Sequence, residues 1–380
     1  MKVDKQASCI YPHAGGTRPS DPTKAFPGYT LFAPLTGAGE VYLVDLAGNV
    51  AHEWKLPYPP GLHGYLLPNG NLFYGAKTPD VPDPVRPTGW GLFKGGALLE
   101  VDWAGQTVWE FRHADHHHDA VRLRNGNTAF LSVERVPAEL ARRIQGGVPG
   151  TEVEGAIFAT VVHEITPAGA IVWTWRSHEH LDPDADPIPP QMRREVWAIS
   201  NTVRELADGS LILSFVNLSL VVIVDRTTGA ITWRVGAPVV SGQHYPHELP
   251  NGNILIFDNG ARTLSSGFPR SRVIELDRAT QQIVWEYMDD PPHNFFSWYI
   301  SGAQRLPNGN TLITEGAFGR LFEVAPTGQT VWEYVNPHFG PFLLAGRAAA
   351  APRGASPFTG EHNAVFRAFR YAVDDLPALR

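Results

Sequence analysis

A tryptophan that ends a short strand-like segment recurs six times, and this recurrence constrains the fold more than any other feature. The copies are 47 to 64 residues apart and are Trp54, Trp109, Trp173, Trp233, Trp285 and Trp332. A turn ending in glycine precedes most of them, as in the Asp102-Trp-Ala-Gly segment, and apolar and polar residues alternate on both sides of it. Alternation with a period of two, interrupted by a glycine turn, predicts a β-hairpin in each unit.

A second turn marks the first half of five units. It is an Asn-Gly or Asp-Gly pair between apolar runs, and it begins at Asn69, Asn125, Asp208, Asn251 and Asn308. Such pairs are among the strongest short-range signals for a hairpin. Two hairpins give four antiparallel strands, which is the content of one propeller blade.

The two kinds of turn differ in number, and the difference predicts how the ring closes. Residues 39–54 contain a Trp hairpin without a preceding Asn-Gly half, whereas residues 362–371 read as an inner strand without a Trp half. We therefore predict an all-β, six-bladed β-propeller in which N- and C-terminal strands share one blade, so that no sheet edge stays open. The predicted domains are an irregular N-terminal segment, 1–26, and a single propeller domain, 27–380.

Composition limits the partners and the location. The formal net charge is −7, so we expect no nucleic-acid partner. The only cysteine, Cys9, excludes an intramolecular disulfide and a cysteine-based zinc site. The N-terminus has no secretory apolar segment, and no run is long enough to span a membrane. The expectation is a cytoplasmic protein with a small-molecule substrate and no membrane partner.

The strand before each Asn-Gly turn is the predicted inner strand of its blade. The residues seven places before the turn are Leu62, His118, Asn201, His244 and Ser301. Because a propeller brings equal strand positions to one level around the axis, we expect these residues to lie together at one end of a central channel. His63 follows Leu62 directly, and His362 is expected at the matching start of the closing strand. His116 and His117 are interpreted as loop residues.

Other side chains near these positions complete the predicted site. Arg262 follows the Asp258-Asn-Gly segment and could form a bidentate hydrogen-bonded pair with a sulfate, phosphate or carboxylate. Tyr65 and Tyr245 lie beside the histidine positions and could wall an aromatic substrate. His63, Asn201 and Ser301 are predicted to contact that substrate as well.

Several segments resemble the arylsulfotransferase (ASST-like) propeller family. They are residues 315–337, the Phe257-Asp-Asn-Gly stretch, the repeated Leu-Pro-Asn-Gly-Asn and residues 365–371, and the similarity runs from about 28 to 371. The resemblance implies an enzyme that moves a sulfuryl group from an aryl sulfate to a phenol without a nucleotide donor, through a sulfated histidine. It also implies that other histidines and an arginine hold the sulfate.

The resemblance also assigns individual positions. His244 and Arg262 match the family's histidine and arginine of the fourth blade, and His118 matches a further histidine on the sulfate side. The family's nucleophilic histidine falls in the fifth blade, where this chain has Ser301.

Three functions follow from these patterns. The first is arylsulfotransferase-like transfer, with His118, His244 or His362 as nucleophile or base and Arg262 neutralising the sulfate. The second is a metal-dependent lyase, hydrolase or oxygenase, in which a divalent Zn, Mn, Fe or Cu ion is bound by four histidines, with Asp119 and Glu361 orienting them. Those ligands would be His63, His118, His244 and His362. The third is a non-catalytic binding propeller. The sequence leaves the oligomeric state open.

Overall fold

The chain folds into six antiparallel sheets of at least four strands each, as seen in a computed structural model that describes residues 16–17, 21, 23–79, 85–261, 269–341 and 361–379. In chain order the strands are β1 (Gly16–Thr17), β2 (Gly28–Pro34), β3 (Glu40–Val44), β4 (Val50–Lys55), β5 (Pro60–Leu66), β6 (Leu72–Lys77), β7 (Gly96–Val101), β8 (Thr107–Arg112), β9 (His116–Arg122), β10 (Thr128–Arg135), β11 (Gly146–Val148), β12 (Phe158–Ile165), β13 (Ile171–Arg176), β14 (Ile188–Arg193), β15 (Ser200–Glu205), β16 (Leu211–Phe215), β17 (Leu220–Val224), β18 (Ile231–Val235), β19 (His244–Glu248), β20 (Ile254–Asp258), β21 (Arg272–Leu276), β22 (Ile283–Tyr287), β23 (Gly302–Arg305), β24 (Thr311–Glu315), β25 (Arg320–Val324), β26 (Thr330–Val335) and β27 (Val365–Ala372).

These strands confirm the predicted six-bladed propeller. Blade 1 is β5–β8, blade 2 is β9, β10, β12 and β13, blade 3 is β15–β18, blade 4 is β19–β22 and blade 5 is β23–β26. Blade 6 takes its innermost strand, β27, from the C-terminal part of the chain and β2–β4 from the N-terminal part. The innermost strands contact one another in blade order, and β27 contacts both β23 and β5. The closure predicted from the unequal turn counts is therefore confirmed.

A few elements lie outside the four-stranded pattern. The short β1 pairs with β26 and adds a fifth strand to blade 5, and β11 and β14 form a parallel pair. The helices are short: α1 (Trp90–Phe93), α2 (Ala138–Arg143), α3 (Ser177–His180), and 3-10 turns at Pro292–Asn294, Gly316–Phe318, Val373–Asp375 and Pro377–Leu379. None of the helices described is long and apolar enough to cross a membrane. The domain boundary at residue 26 stays a prediction, since residues 1–15 lie outside the described ranges.

A tryptophan of each blade donates its indole N–H to a backbone carbonyl in the outer turn of the next blade. The six bonds are Trp54 to Asp102, Trp109 to Pro167, Trp175 to Gly229, Trp233 to Arg278, Trp285 to Pro326 and Trp332 to Leu46. They form a closed circuit around the ring. In blade 2 the donor is Trp175 and not the repeat tryptophan Trp173, two residues earlier.

The Asn-Gly turns also connect neighbouring blades. In blade 1 the side-chain amides of Asn69 and Asn71 donate to Glu100, whose other oxygen accepts a bond from Arg122 of blade 2. The same arrangement joins blades 4 and 5 through Glu275. The asparagine that favours the turn therefore also positions a carboxylate that links two blades.

Candidate functional site

Strand pairing fixes which residues of the innermost strands share a level. In blades 1–5 the reference is the residue pair of the first two strands that lies next to the Asn-Gly or Asp-Gly turn. The residue four places before the first-strand member of this pair defines the level. In blade 6 the equivalent pair is Arg370↔Thr30. Thr30 pairs with Val44 on the third strand of its blade, just as Thr311 of blade 5 pairs with Val324. The resulting set, which we call the first ring, is Leu62, His118, Asn201, His244, Ser301 and Phe366.

Phe366, and not His362, occupies the blade 6 position. Strand β27 begins at Val365, and His362 lies before it in an isolated bridge with Gly340. The predicted place of His362 is therefore wrong. The reason is that the closing strand is followed by no Asn-Gly turn, so the sequence offered no fixed point from which to count.

Three histidines surround the Phe366 ring. The centroid of Phe366 lies 5.4 Å from that of His63, 6.4 Å from that of His118 and 6.2 Å from that of His244. The structure therefore brings together three of the four histidines predicted for the site. No group of three or more His, Cys, Asp or Glu side chains in the described part of the chain is arranged to hold a metal ion.

The next residue along each innermost strand belongs to a second ring: His63, Asp119, Thr202, Tyr245, Gly302 and Arg367. Arg367 is 1% exposed and reaches the other five blades. Its contacts are the His63 ring nitrogen Nε2 at 3.3 Å, Asp119 Oδ2 at 2.9 Å, Thr202 Oγ1 at 2.8 Å, the Tyr245 ring centroid at 4.3 Å, and Gly302, where a Cβ would stand 3.3 Å from Arg367 Cγ. This side chain fills the middle of the ring below the first-ring residues.

Asp119 is ionised at the centre of this network. Burial opposes its ionisation, but the guanidiniums of Arg204 and Arg367 outweigh burial and hold the pKa of the carboxyl well below its usual range. Arg204 Nη1 lies 3.2 Å from Asp119 Oδ1, and His63 Nε2 lies 2.9 Å from the same oxygen. Since a carboxylate only accepts hydrogen bonds, the His63 proton sits on Nε2.

Ser301 and Asn201, which were predicted to contact the substrate, form hydrogen bonds to other groups of the protein. The Ser301 hydroxyl donates to Ser297 Oγ and accepts from the Gly316 amide. Asn201 donates to the Gln243 carbonyl and accepts from the neighbouring threonine hydroxyl. Both residues have an exposed fraction of 0%, so their polar groups mainly hold neighbouring strands together.

The two predicted tyrosines lie deeper and contact arginines. Tyr65 accepts a hydrogen bond from the Arg122 amide, and the Arg204 guanidinium lies 5.6 Å from its ring centroid. Tyr245 has Arg204 at 5.0 Å and Arg367 at 4.3 Å from its ring centroid. Arg262 lies outside the described residues.

His244 is held in one orientation by Asn259. The Asn259 amide donates to the carbonyls of Ser297 and Ile300, so its oxygen Oδ1 is the acceptor for His244 Nδ1, 2.8 Å away. His244 Nδ1 therefore carries a proton and donates it to Asn259.

His118 lies against an aromatic wall. Its ring stacks on Phe93, with centroids 4.9 Å apart and an angle of 16° between the planes. Phe93 comes from helix α1 and packs with Leu62, Ile300 and Phe366 in one apolar cluster. Burial lowers the pKa of His118 well below its ordinary value, and His117 and His244 add to this effect. His118 is therefore a neutral imidazole beside a flat apolar surface.

The backbone contributes to the orientation of His118. The interpretation of His116 and His117 as loop residues is wrong, because both lie in β9. A β-bulge interrupts the pairing of β9 with β10, and His118 has φ +49°, in the left-handed region. Leu62 and Ser301 of the same ring also have positive φ, so this conformation belongs to the repeat and orients the first-ring side chains.

Sequence reasoning missed Phe366, Arg367 and Asn259. The residues Phe366 and Arg367 were visible as part of an alternating closing strand, but only its pairing with β2 gives their level. Asn259 carried no repeat signal, because no other blade has an asparagine directly after its second strand.

The chain was compared with known proteins. The arylsulfotransferase (ASST) family profile matches residues 83–337, about two thirds of the chain. No curated protein matches the sequence significantly. A structure of a protein of unknown function from Bacteroides caccae has a TM-score of 0.52 and 12% identity, covering 81% of this chain and 93% of that chain. A streptogramin B lyase has a TM-score of 0.47 and 10% identity, covering 88% of this chain and 85% of that chain. At these identities the similarity to solved structures concerns the fold alone.

Proposed function

The chain belongs to the arylsulfotransferase family, and we propose that it transfers a sulfuryl group between small aromatic molecules at the first ring. Family membership supports a transferase, and the side chains around Phe366 support the choice of substrate and of site. The observation that carries the proposal is the combination of a neutral, aromatic-stacked His118 in the first ring with a buried cation, Arg367, in the second ring.

The charge below the first ring favours an anion. Asp119 offsets one of the two guanidiniums, Arg204 and Arg367, that contact it. His63 is neutral, because burial lowers its pKa to about 4 despite its bond to Asp119. The network therefore carries one net positive charge, and its centre at Arg367 and Asp119 is shielded from bulk water, where electrostatic attraction is strong. A sulfate ester suits such a position.

The walls of the first ring favour an aromatic group. Phe93 stacks on the His118 ring at a centroid distance of 4.9 Å, and the tilted ring of Phe366 lies 6.4 Å from it. Aromatic rings stack in this distance range. In the proposed complex the phenyl ester packs against this aromatic cluster, with its sulfate directed toward the second ring.

The proposed reaction has two balanced steps. His118 Nε2 attacks sulfur, so that an N–S bond forms while the S–O bond to the aryl group breaks, and the aryl oxide that leaves takes up a proton from water. A phenol then attacks the sulfated imidazole, the N–S bond breaks, and the phenol proton passes to a base. His244 is the proposed base, since it belongs to the same ring of residues; it accepts the phenol proton in the second step and returns it to water.

The test uses p-nitrophenyl sulfate with a series of phenol acceptors. We expect release of p-nitrophenol that depends on the acceptor, and a loss on the order of 10²–10⁴-fold in the His118→Ala and His244→Ala variants. Without acceptor, the peptide containing His118 should gain the mass of one SO₃ group. If no acceptor supports release by the wild-type protein, the proposal fails.

A histidine-bound metal stays the alternative prediction, and the geometry gives it less support. His63 Nε2 faces the Asp119 carboxylate and a guanidinium, and His362 lies outside the innermost strands, in a bridge with Gly340. A divalent ion at His63 would be repelled by the adjacent arginine. Metal analysis of untagged protein, with activity measured before and after addition of Zn²⁺, Mn²⁺, Fe²⁺ or Cu²⁺, separates the two readings. The binding propeller is tested by whether the wild-type protein turns over any aryl sulfate.

A further inference from the structure

His117 is fully buried beside His118 and contacts it through the ring nitrogens. His117 Nδ1 lies 2.8 Å from His118 Nδ1, and the two rings are nearly perpendicular, with an angle of 86° between the planes. The other nitrogen of His117, Nε2, lies 3.1 Å from the Ser132 carbonyl oxygen and 3.4 Å from the Thr160 hydroxyl oxygen. His117 thus connects His118 to the backbone of the neighbouring strand β10.

The protons in this arrangement can be assigned from the partners. A carbonyl oxygen only accepts hydrogen bonds, so His117 Nε2 carries a proton. Burial lowers the pKa of His117 to about 3, so the ring is neutral and has one proton. Its Nδ1 is then an acceptor, and the proton between the two rings belongs to His118 Nδ1. The basic nitrogen of His118 is therefore Nε2.

We propose that His117 is a positioning residue that fixes the tautomer of His118, so that Nε2 is the nucleophilic nitrogen. Without an acceptor at this point, an imidazole can place its proton on either nitrogen. A ring with the proton on Nε2 has no lone pair there for attack on sulfur. The tautomer assignment stands independently, while its catalytic consequence rests on the proposed sulfuryl transfer.

Three substitutions separate the contact of His117 Nδ1 with His118 from the contacts of His117 Nε2 with the Ser132 carbonyl and the Thr160 hydroxyl. The Asn side chain of His117→Asn places an oxygen near the position of Nδ1 and keeps the acceptor for His118. His117→Gln places a polar atom near Nε2, keeping a partner for the Ser132 carbonyl but removing the acceptor. His117→Phe removes both while keeping a flat ring. The Asn variant is the matched control for the Gln and Phe variants.

The direct readout is the tautomer of His118 from long-range ¹⁵N–¹H NMR spectra of protein labelled at histidine. We expect a protonated Nδ1 in the wild type and in His117→Asn, and loss of this preference in His117→Gln and His117→Phe. Folding of each variant is followed by circular dichroism and thermal unfolding. If the Phe variant does not fold, the Asn and Gln pair still decides.

Activity is the second readout. We expect kcat to fall at least tenfold in His117→Gln and to be largely retained in His117→Asn. A wild-type spectrum with the proton on Nε2 of His118 would overturn the assignment whatever the activity. A wild type with the expected tautomer and no turnover of any aryl sulfate would instead contradict the proposed function. Equal kcat values for the Asn and Gln variants would show that His117 has no positioning role.

Discussion

Arg367 Nη1 donates a hydrogen bond of 2.9 Å to Asp119 Oδ2, and the two residues are 248 positions apart in the chain. Arg367 belongs to the closing strand of blade 6, whereas Asp119 belongs to blade 2, so the bond crosses the middle of the ring. Both side chains are almost fully buried, at 1% and 0% side-chain exposure. A buried charge is tolerated only when it is paired and hydrogen-bonded, and this pair therefore couples closure of the ring to the centre of the site.

Loss of one member of this pair should be strongly destabilising. We expect Arg367→Met to lower the free energy of unfolding by about 3–5 kcal/mol, since it leaves the Asp119 carboxylate buried with one guanidinium fewer. Urea unfolding curves provide the measurement. In the double variant that combines Arg367→Met and Asp119→Asn, the loss of unfolding free energy should be smaller than the sum of the losses in the two single variants. Additive costs would mean that the two groups do not interact in solution.

The same pair predicts an acid limit of stability. The folded-state pKa of Asp119 is held well below its usual range, so the proton is bound more tightly by the unfolded chain. The contribution is fully present above the unfolded value, near pH 4, and is lost as the pH falls toward the folded value. The difference in unfolding free energy between wild type and Asp119→Asn should therefore be constant from pH 8 to pH 5 and shrink below pH 4. A difference that grows below pH 4 would refute the assignment.

Local turn chemistry explains why so much of the fold could be predicted. Asn69-Gly and its counterparts specify hairpins through their own backbone preferences, so blade number and closure followed from counting turns. His118 and His244 were placed correctly because each is followed by such a turn at a fixed distance. His362 was misplaced because no turn follows the closing strand.

The burial of Arg367 could not be predicted by counting from the turns. Arginine is mostly exposed in proteins, so a buried Arg367 is unexpected from its residue type. It becomes favourable only through Asp119, Thr202 and Tyr245, which come from three different blades. Those partners are distant in sequence, and no local sequence pattern predicts that they contact one another.

The tryptophan circuit allows a test within one strand. Trp175 is 1% exposed and donates to the Gly229 carbonyl of the next blade, whereas Trp173 occupies the repeat position without this bond. We expect Trp175→Phe to cost about 1–2 kcal/mol, from the lost hydrogen bond and reduced packing. Trp173→Phe is the matched control and should cost clearly less. Chemical unfolding of both variants gives the comparison, and a larger cost at Trp173 would contradict the assigned roles.

Binding of an anionic ester should be coupled to uptake of a proton at His118. Because burial keeps the pKa of His118 well below its ordinary value, the ring is neutral at pH 7 in the absence of ligand. An anion beside it favours the charged ring and raises that pKa, so affinity for a slowly reacting aryl sulfonate should increase as the pH falls from 7 to 5. Calorimetric titrations in two buffers of different ionisation enthalpy count the protons taken up. His118→Asn keeps a polar side chain but has no titrating group, so both the uptake and the gain at low pH should largely disappear. Affinity that does not change with pH in the wild type would mean that His118 does not contact the anionic group.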